Sequence, residues 1–471
     1  MKKTFKLIFI FSFIIILSTG CVKRRLTSLE DSRIGAEDMK IKDLSKDQKP
    51  NDENVFFPDD VKKFKNYEDY FSWYDSLKEP PELVLPDPED PKELTKQEMI
   101  EDYEYLFKTI KDNYPFIKLI EREYGYNFLD EHDKYLSWVK DCNNDEDFYE
   151  VLEKIIDELK NQHAMIADSY YVENSLEHYS HYWDTRSMFL EFLYMNTQTV
   201  RNRYNLEGKQ ISDYKKINDE NRKKEDDSET SNENIEIKDI SDDIISIKIN
   251  EMLADYNWKQ DEEILDEFIE KLPNYKALVI DIRGNGGGNI DYWQEFFLPR
   301  IIDKKYKTDN YMFFKDGDRT KIVLGDNDYN YENIKDVDIN SLNLEYSEDL
   351  KDFSYFAKDS IEVSPKNSIS FKGNIYLLVD EEVFSAAETM ASFCKNTSLA
   401  TLVGKKTGGD GITLGVINDY LPNSGYVFSF TNSLGYAKDG SLNEEDKTDP
   451  DIKAEDYRQM IDAILEKEGE R

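Results

Sequence analysis

Cysteine is scarce in this chain, which limits the ways in which cross-links or metal ions could stabilise it. The sequence has three cysteines in 471 residues, and Cys142 and Cys394 lie far apart. Two scattered cysteines do not make a disulfide framework. Neither has a cysteine or histidine neighbour at metal-ligand spacing. We therefore predict two ordinary buried thiols, and the sequence implies no metal site and no cofactor.

Basic side chains are also in deficit. The chain has 61 Lys and Arg residues against 99 Asp and Glu residues, which gives a formal net charge of −38. Proteins that bind phosphate backbones displace counterions with clustered Lys and Arg, so this excess of carboxylates argues against a nucleic acid partner. We interpret the acidity as a solvated surface.

Histidine is nearly as rare as cysteine, and this matters for catalysis. The only histidines are His132, His163, His178 and His181. A serine nucleophile needs a general base, and histidine is the side chain that most often serves. His163 follows directly after a predicted amphipathic helix. On its own such a histidine is more often a surface or capping residue.

The first 21 residues have the pattern of an export signal. Lysines precede an apolar stretch that is short and early for a membrane span, and small residues then lead to Cys21. The letters LSTGC resemble the lipobox of bacterial lipoproteins, in which the cysteine is acylated and becomes the mature N-terminus. The resemblance implies export and a lipid anchor at Cys21, on the outer face of the bacterial cytoplasmic membrane. A plain secretory signal or an uncleaved anchor is the alternative.

Changes in composition divide the rest of the chain into four segments. We predict a polar tether and Pro-rich linker over residues 22–91, a helical N-terminal subdomain over 92–170, a charged insertion or linker over 171–243, and a core over 244–471. In the helical segment, Thr95 begins a capping-box pattern, T-x-x-E, that predicts a helix start.

The core segment alternates strand and helix patterns. Apolar strand signals are followed by helical spacing several times, and the chain has no internal repeat. Such alternation predicts an α/β fold with a mainly parallel β-sheet flanked by helices. The predicted strands are 244–249, 277–282, 375–379, 401–403 and 425–431, and the predicted helices are 261–272, a helix from 291 onward, and 386–396.

Two motifs in the core carry the chemistry of acyl transfer. The run ALVIDIRGNGGG ends a buried strand in a loop of bare backbone amides that includes Gly286 and Gly287. The run DEEVFSAAE places Ser385 at the start of a predicted helix, where the amide of Ala386 and the helix dipole favour negative charge. A simple turn and an ordinary helix N-cap are the alternative readings of the two motifs.

Four blocks in order resemble peptidase family S41, the C-terminal-processing and tricorn-core proteases. They read LVIDIRGNGGG, GNIYLLVDEEVFSAAE, LATLVGKKTGG and DGSLNEEDKTDPDI, and the segment DELKNQH resembles the N-terminal region of the same family. The resemblance implies a ClpP/crotonase-like α/β core behind a helical N-terminal subdomain. Residues 170–243 show no clear PDZ pattern.

The same resemblance assigns roles to residues of the site. It implies that Ser385 is the nucleophile and that amides at Gly286 or Gly287, with Ala386, form the oxyanion hole. Asp410 stands where the processing-protease branch has a catalytic lysine. The tricorn-like branch instead implies that His163 is the base and Glu444 the orienting carboxylate. Lys405 and Lys406 are fallback bases that stand too early for the family spacing.

These observations predict a serine endopeptidase that hydrolyses exported proteins or peptides through an acyl-enzyme. If so, folding should bring the His163 ring within hydrogen-bond reach of Ser385. An inactive S41-like binding protein or an envelope scaffold is the alternative, because the lysine is missing at Asp410. The predicted partners are a peptide or protein substrate and, through the lipid on Cys21, the membrane. The sequence does not predict the oligomeric state.

Overall fold

A computed structural model describes most of the chain after its first 54 residues. The described residues are 55–64, 66–77, 81–182, 184–209, 213–214, 234–326 and 331–469. The predicted signal segment and Cys21 lie outside this range. Within it, no helix combines the length and the apolar character needed to cross a membrane.

Helices occur along the whole described chain and are most frequent in its first half. They are α1 (Tyr67–Tyr74), α2 (Lys96–Asn113), α3 (Ile117–Tyr124), α4 (His132–Asp141), α5 (Asp145–Asp157), α6 (Ser169–His181), α7 (Arg186–Met195), α8 (Gln198–Tyr204), α9 (Lys259–Lys271), α10 (Asp318–Asp326), α11 (Ala386–Thr397), α12 (Asn443–Asp446) and α13 (Tyr457–Glu468). The predicted capping box is confirmed, because the Thr95 side chain and Glu98 cap the first turn of α2 reciprocally.

Strands also occur along the described chain, and most of them lie in its second half. They are β1 (Val55–Phe56), β2 (Glu82–Leu83), β3 (Met165–Ile166), β4 (Ile235–Asp239), β5 (Ile244–Ile249), β6 (Ala277–Asp281), β7 (Tyr306–Phe314), β8 (Tyr331–Asn333), β9 (Tyr355–Val363), β10 (Asn374–Val379), β11 (Thr401–Gly404), β12 (Val416–Tyr420), β13 (Val427–Thr431), β14 (Ser433–Tyr436) and β15 (Ile452–Lys453). Where a helix was expected from residue 291, a π-helical segment, Tyr292–Phe297, and a 3-10 turn follow instead.

A mainly parallel sheet forms the centre of the core, as the strand and helix alternation predicts. Its order is β15-β11-β10-β6-β5-β4, and within the described residues only the pairing of β4 with β5 is antiparallel. Strand β6 is buried along its whole length, which is why it reads as an uninterrupted apolar run. Leu265 of α9 and Met390 of α11 pack in the large core on one face, while Ile464 of α13 packs on the other. The α/β prediction is confirmed.

Two antiparallel sheets connect this core to the N-terminal helices. One has the order β12-β13-β3 and the other β14-β7-β9-β8. Phe428 of β13 and Phe313 of β7 share a hydrophobic cluster with Leu106 of α2 and Leu152 of α5. The helical subdomain is therefore packed onto sheets that belong to the C-terminal half of the chain.

The predicted linkers are wrong over much of their length. Phe56 and Tyr70, from the predicted tether, are buried with Val172, Phe192 and other residues of α6 and α7 in one hydrophobic cluster. Helix α6 has only two glutamates and α7 only one Arg and one Glu, so the dense charge of the residues that follow them concealed their apolar faces. Of the predicted insertion, residues 183, 210–212 and 215–233 lie outside the described range.

Candidate active site

Ser385 lies in a sharp turn between β10 and α11. Its backbone has φ 53° and ψ −120°, in the left-handed half of conformational space that a residue with a side chain rarely adopts. Helix α11 begins at the next residue, and the Ser385 amide donates to the carbonyl of Gly409 at 3.2 Å. Strain of this kind, of order 1–3 kcal/mol, persists where surrounding contacts fix the backbone, and it concentrates at functional sites.

The glycine loop lies directly against this turn. A Cβ added to Gly287 would lie 2.9 Å from the carbonyl oxygen of Phe384 and 3.0 Å from both the Ala386 nitrogen and the Ser385 Cβ. Gly287 also has φ +113°. The triple glycine is thus used for a close approach between two backbones. The structure brings together the two motifs that the sequence separates by about a hundred residues.

Two amides next to Ser385 are available to hold an oxyanion. Among the described residues, the N–H groups of Gly286 and Ala386 donate to no acceptor. The Gly287 amide instead donates to Oδ1 of Asn285 at 2.8 Å. A side chain at Gly286 would meet open space, so this position borders room for a ligand. Of the two glycines, the geometry favours Gly286 over Gly287 as the second donor.

The chain after α5 positions His163. The neighbouring strand β3 pairs with β13, and the Ser429 hydroxyl of β13 donates to the His163 carbonyl at 2.7 Å. The His163 ring packs on Phe384, with ring centroids 4.6 Å apart. The base predicted from the N-terminal half therefore lies against the residue that precedes Ser385.

A carboxylate orients this ring, and it belongs to Asp410. Nδ1 of His163 lies 2.6 Å from Oδ2 of Asp410, and the two side chains are 3% and 2% exposed. The expectation that Glu444 makes this contact is therefore wrong in this structure. Glu444 instead accepts a hydrogen bond from Nδ2 of Asn161 at 3.0 Å. The family resemblance implied Glu444, and the sequence could not show which carboxylate the loop after β11 turns inward.

Glu444 is a buried carboxyl group whose charged form is disfavoured. Burial, followed by the nearby charge of Asp410, raises the pKa of Glu444 well above its ordinary value. Its Oε2 has no hydrogen-bond partner among the described residues. A raised pKa favours the neutral form of Glu444 beside the contact between His163 and Asp410.

The expected hydrogen bond between His163 and Ser385 is not formed. Nε2 of His163 is buried and has no partner within the described part of the chain, and the Ser385 side chain makes no capping bond to α11. Catalytic hydrogen bonds are often long or unformed before substrate binds. The ring thus has its Nδ1 occupied by Asp410 and its Nε2 free.

A second buried network holds the Asp410 loop in place. Oδ1 of Asn443 accepts from the amides of Gly411 and Ile412 at 2.7 and 3.2 Å. Nδ2 of Asn443 donates at 2.7 Å to Glu388, which lies one turn after Ser385 in α11. Burial raises the pKa of Glu388 to about 7. Asn161, Asn443 and Glu388 had no predicted role, although all three lie inside the motifs that resemble the family.

The remaining candidates do not join the site. Lys405 pairs with Glu381 at 3.1 Å and Lys406 with Asp449 at 3.9 Å, both partly exposed. The other histidines bond or stack elsewhere, on Glu104 or on Tyr256. Cys142 and Cys394 are buried free thiols, as predicted. In the described residues no group of three or more His, Cys, Asp or Glu side chains could hold a metal ion.

Comparison with known proteins identifies the domain that carries this site. Residues 243–454, just under half of the chain, match the model of peptidase family S41. This match identifies the region with the glycine loop, Ser385 and Asp410 as an S41 peptidase domain, and the enzyme class is serine peptidase. No curated protein matches the chain.

Several solved structures are similar at low identity. Mature CPAF complexed with lactacystin is 14% identical over 79% of this chain and 97% of that chain, with a TM-score of 0.49. The photosystem II D1 C-terminal processing protease is 11% identical over 78% and 97%, with a TM-score of 0.40. A lipoprotein from Streptococcus agalactiae is 12% identical over 82% and 99%, also with a TM-score of 0.40. At such TM-scores these likenesses carry no argument of their own.

The packing of the glycine loop predicts a sharp difference between two neighbouring substitutions. Gly287→Ala places a methyl group against the backbone of the Ser385 turn at a positive φ, so we expect a loss of about 1–3 kcal/mol in the free energy of unfolding. Gly286→Ala meets open space and should lose less than about 1 kcal/mol. Denaturant unfolding of both variants measures the difference, and equal losses would contradict this packing.

Proposed function

We propose that this protein is a serine endopeptidase that cleaves exported proteins or peptides through an acyl-enzyme. Ser385 is the nucleophile, His163 the general base and acid, and Asp410 the orienting carboxylate. Amides at Gly286 and Ala386 hold the oxyanion. The S41 domain match supports the peptidase class, and the geometry of the site supports these roles.

One observation carries the proposal. The buried contact between Nδ1 of His163 and Asp410 leaves Nε2 as the free nitrogen of a ring that packs against the Ser385 turn. A base that must remove a hydroxyl proton needs one nitrogen fixed by a partner and the other directed to the nucleophile. Burial strengthens this arrangement, because water does not screen the attraction between imidazolium and carboxylate.

In the proposed reaction His163 removes a proton from the attacking group and then returns it to the leaving group. Nε2 of His163 takes the proton of the Ser385 hydroxyl while its oxygen attacks the scissile carbonyl carbon. The amide of Gly286 in the glycine loop and the amide of Ala386 at the N-terminus of α11 stabilise the negative charge that forms on the carbonyl oxygen. The imidazolium, stabilised by Asp410, then protonates the leaving amine, and an acyl group remains on Ser385. Water activated by His163 hydrolyses this ester and restores the enzyme.

A fluorophosphonate probe tests whether Ser385 is activated. We expect the wild-type protein to be labelled at Ser385 and Ser385→Ala to remain unlabelled, because only an activated hydroxyl displaces the fluoride. Mass spectrometry of the labelled peptide gives the site. Ser392→Ala is the matched control, since Ser392 is buried in the same helix and should leave labelling unchanged. Labelling at another residue, or none in the wild type, would contradict the proposal.

Isosteric variants of the two carboxylates test which one orients the base. Asp410→Asn should lower the labelling rate by about 10³–10⁴-fold, because the imidazolium loses its negative partner and its tautomer. Glu444→Gln should change the rate by less than about tenfold, since a neutral acid is exchanged for a neutral amide. Labelling rates at neutral pH measure both effects. The reverse ranking would return the orienting role to Glu444.

A binding protein with lost catalysis is the second candidate. The absence of a hydrogen bond between His163 and the Ser385 side chain favours it. Such a protein would bind peptides but show no labelling in the first experiment. Peptide-library cleavage by the wild type and Ser385→Ala therefore separates the two functions and gives the cleavage preference.

The proposed location rests on the first 21 residues of the sequence. Acylation of Cys21 would anchor the protein to the membrane, where exported substrates are found. We expect Cys21→Ala to lose the lipid and to shift from the membrane fraction towards the soluble exported fraction, as measured by fractionation and intact-mass analysis. Cys142→Ala is the control and should stay with the membrane. A Cys21→Ala protein that still carries lipid would exclude this anchor.

A further inference from the structure

Asn161 contacts three parts of the candidate site with a single side chain. Its Oδ1 accepts a hydrogen bond from the backbone N–H of His163 at 2.9 Å. Its Nδ2 donates to Oδ2 of Asp410 and to Oε1 of Glu444, each at 3.0 Å. Oδ2 of Asp410 is also the atom that faces Nδ1 of His163. The amide therefore connects the backbone of the base to the carboxylate that its ring contacts.

We propose that Asn161 is a positioning residue of this peptidase, which fixes the His163 ring against Asp410 and holds Glu444 beside that pair. The proposal rests on the proposed function, because it assigns a role within the same active site. Asn161 acts through His163 and Asp410.

The chemistry of the position calls for a primary amide. The contact to His163 needs an acceptor, and the contacts to the two carboxyl groups need a donor, and an amide side chain supplies both. An alanine would leave buried polar groups without a partner. An ionised aspartate keeps the shape but offers no donor, and it would add a third carboxyl group to a buried site that already holds two.

The donor of Asn161 also affects ionisation. A hydrogen bond donated to a carboxylate favours its charged form, and Asp410 must be charged to stabilise the imidazolium. The Nδ2 hydrogen bond lowers the pKa of Glu444 against the burial that raises it. Without Nδ2, a proton is held more readily beside Asp410, so we expect activity to be lost at a higher pH on the acid side. The other titratable groups that face Asp410 and Glu444 are His163, Tyr114, Glu123, Tyr124 and Lys447. A substitution at Asn161 leaves all of them in the sequence.

The adjacent residue provides a matched control. Gln162 carries the same amide group as Asn161, stands in the same segment before His163, and is exposed. A general effect of losing an amide in this segment would appear in both variants. An effect transmitted through Asp410 would appear only at position 161.

The experiment measures the fluorophosphonate labelling rate as a function of pH for the wild type, Asn161→Ala, Asn161→Asp and Gln162→Ala. We expect Asn161→Ala to be about 10- to 100-fold slower at neutral pH, as the loss of hydrogen bonds to charged groups implies, with its acid limb shifted to higher pH. Asn161→Asp should be slower by at least as much. Gln162→Ala should match the wild type in rate and in pH profile.

Different outcomes separate the two proposals. If the wild type is not labelled, the proposed function fails and this role fails with it. If the wild type is labelled but the Asn161 variants keep its rate, or are slower with its acid limb unchanged, the positioning role alone is overturned. Should Asn161→Ala fail to fold, as judged by its circular dichroism and melting temperature, Asn161→Asp preserves the shape of the side chain and decides the question.

Discussion

A buried imidazole facing a buried carboxylate is the contact on which the candidate site depends. His163 and Asp410 are 247 residues apart in the chain, and each is almost fully withdrawn from solvent. Removing one partner of such a pair leaves an uncompensated buried charge, which costs about 3–5 kcal/mol. Strand β3 follows His163 closely and pairs with β13, so the packing of the helical subdomain on the core brings the base to Asp410. The base therefore comes from outside the S41 match at residues 243–454.

Features encoded by local physics could be predicted from the sequence. The cap at Thr95 and the strand Ile244–Ile249 follow from residue types at fixed short spacing, and the structure reproduces both. The buried strand before the glycine loop and the helix after Ser385 also follow from such patterns. The approach of these two segments was inferred from chemistry and from the family resemblance, since no short-range pattern encodes it.

Features that depend on which distant groups meet could not be predicted in this way. The family resemblance pointed to Glu444, whereas the loop after β11 turns Asp410 toward the ring. Asn161 was assigned no role, because nothing in the sequence indicates which of the two adjacent amides, Asn161 or Gln162, is buried. The helices α6 to α8 were missed for a related reason. Their apolar faces pack against residues from 55 to 83 and against strands β12 and β13, and the sequence does not show these distant partners.

Backbone contacts, more than long side chains, hold the reacting groups in place. Ser385 and Asp410 both have positive φ, and the Ser385 amide bonds to the carbonyl of Gly409 in the loop that carries Asp410. A Cβ on Gly411 would lie 2.6 Å from the Thr389 amide, and one on Gly287 would touch the Ser385 turn from the other side. The strained turn is therefore enclosed by two glycine loops that approach within backbone distance. Because strain of about 1–3 kcal/mol per residue survives only where neighbours fix the chain, these glycines set the position of the hydroxyl relative to the free amides. The glycine content of both motifs is thus a requirement of packing around the turn, and a site of this kind is preorganised before a substrate arrives.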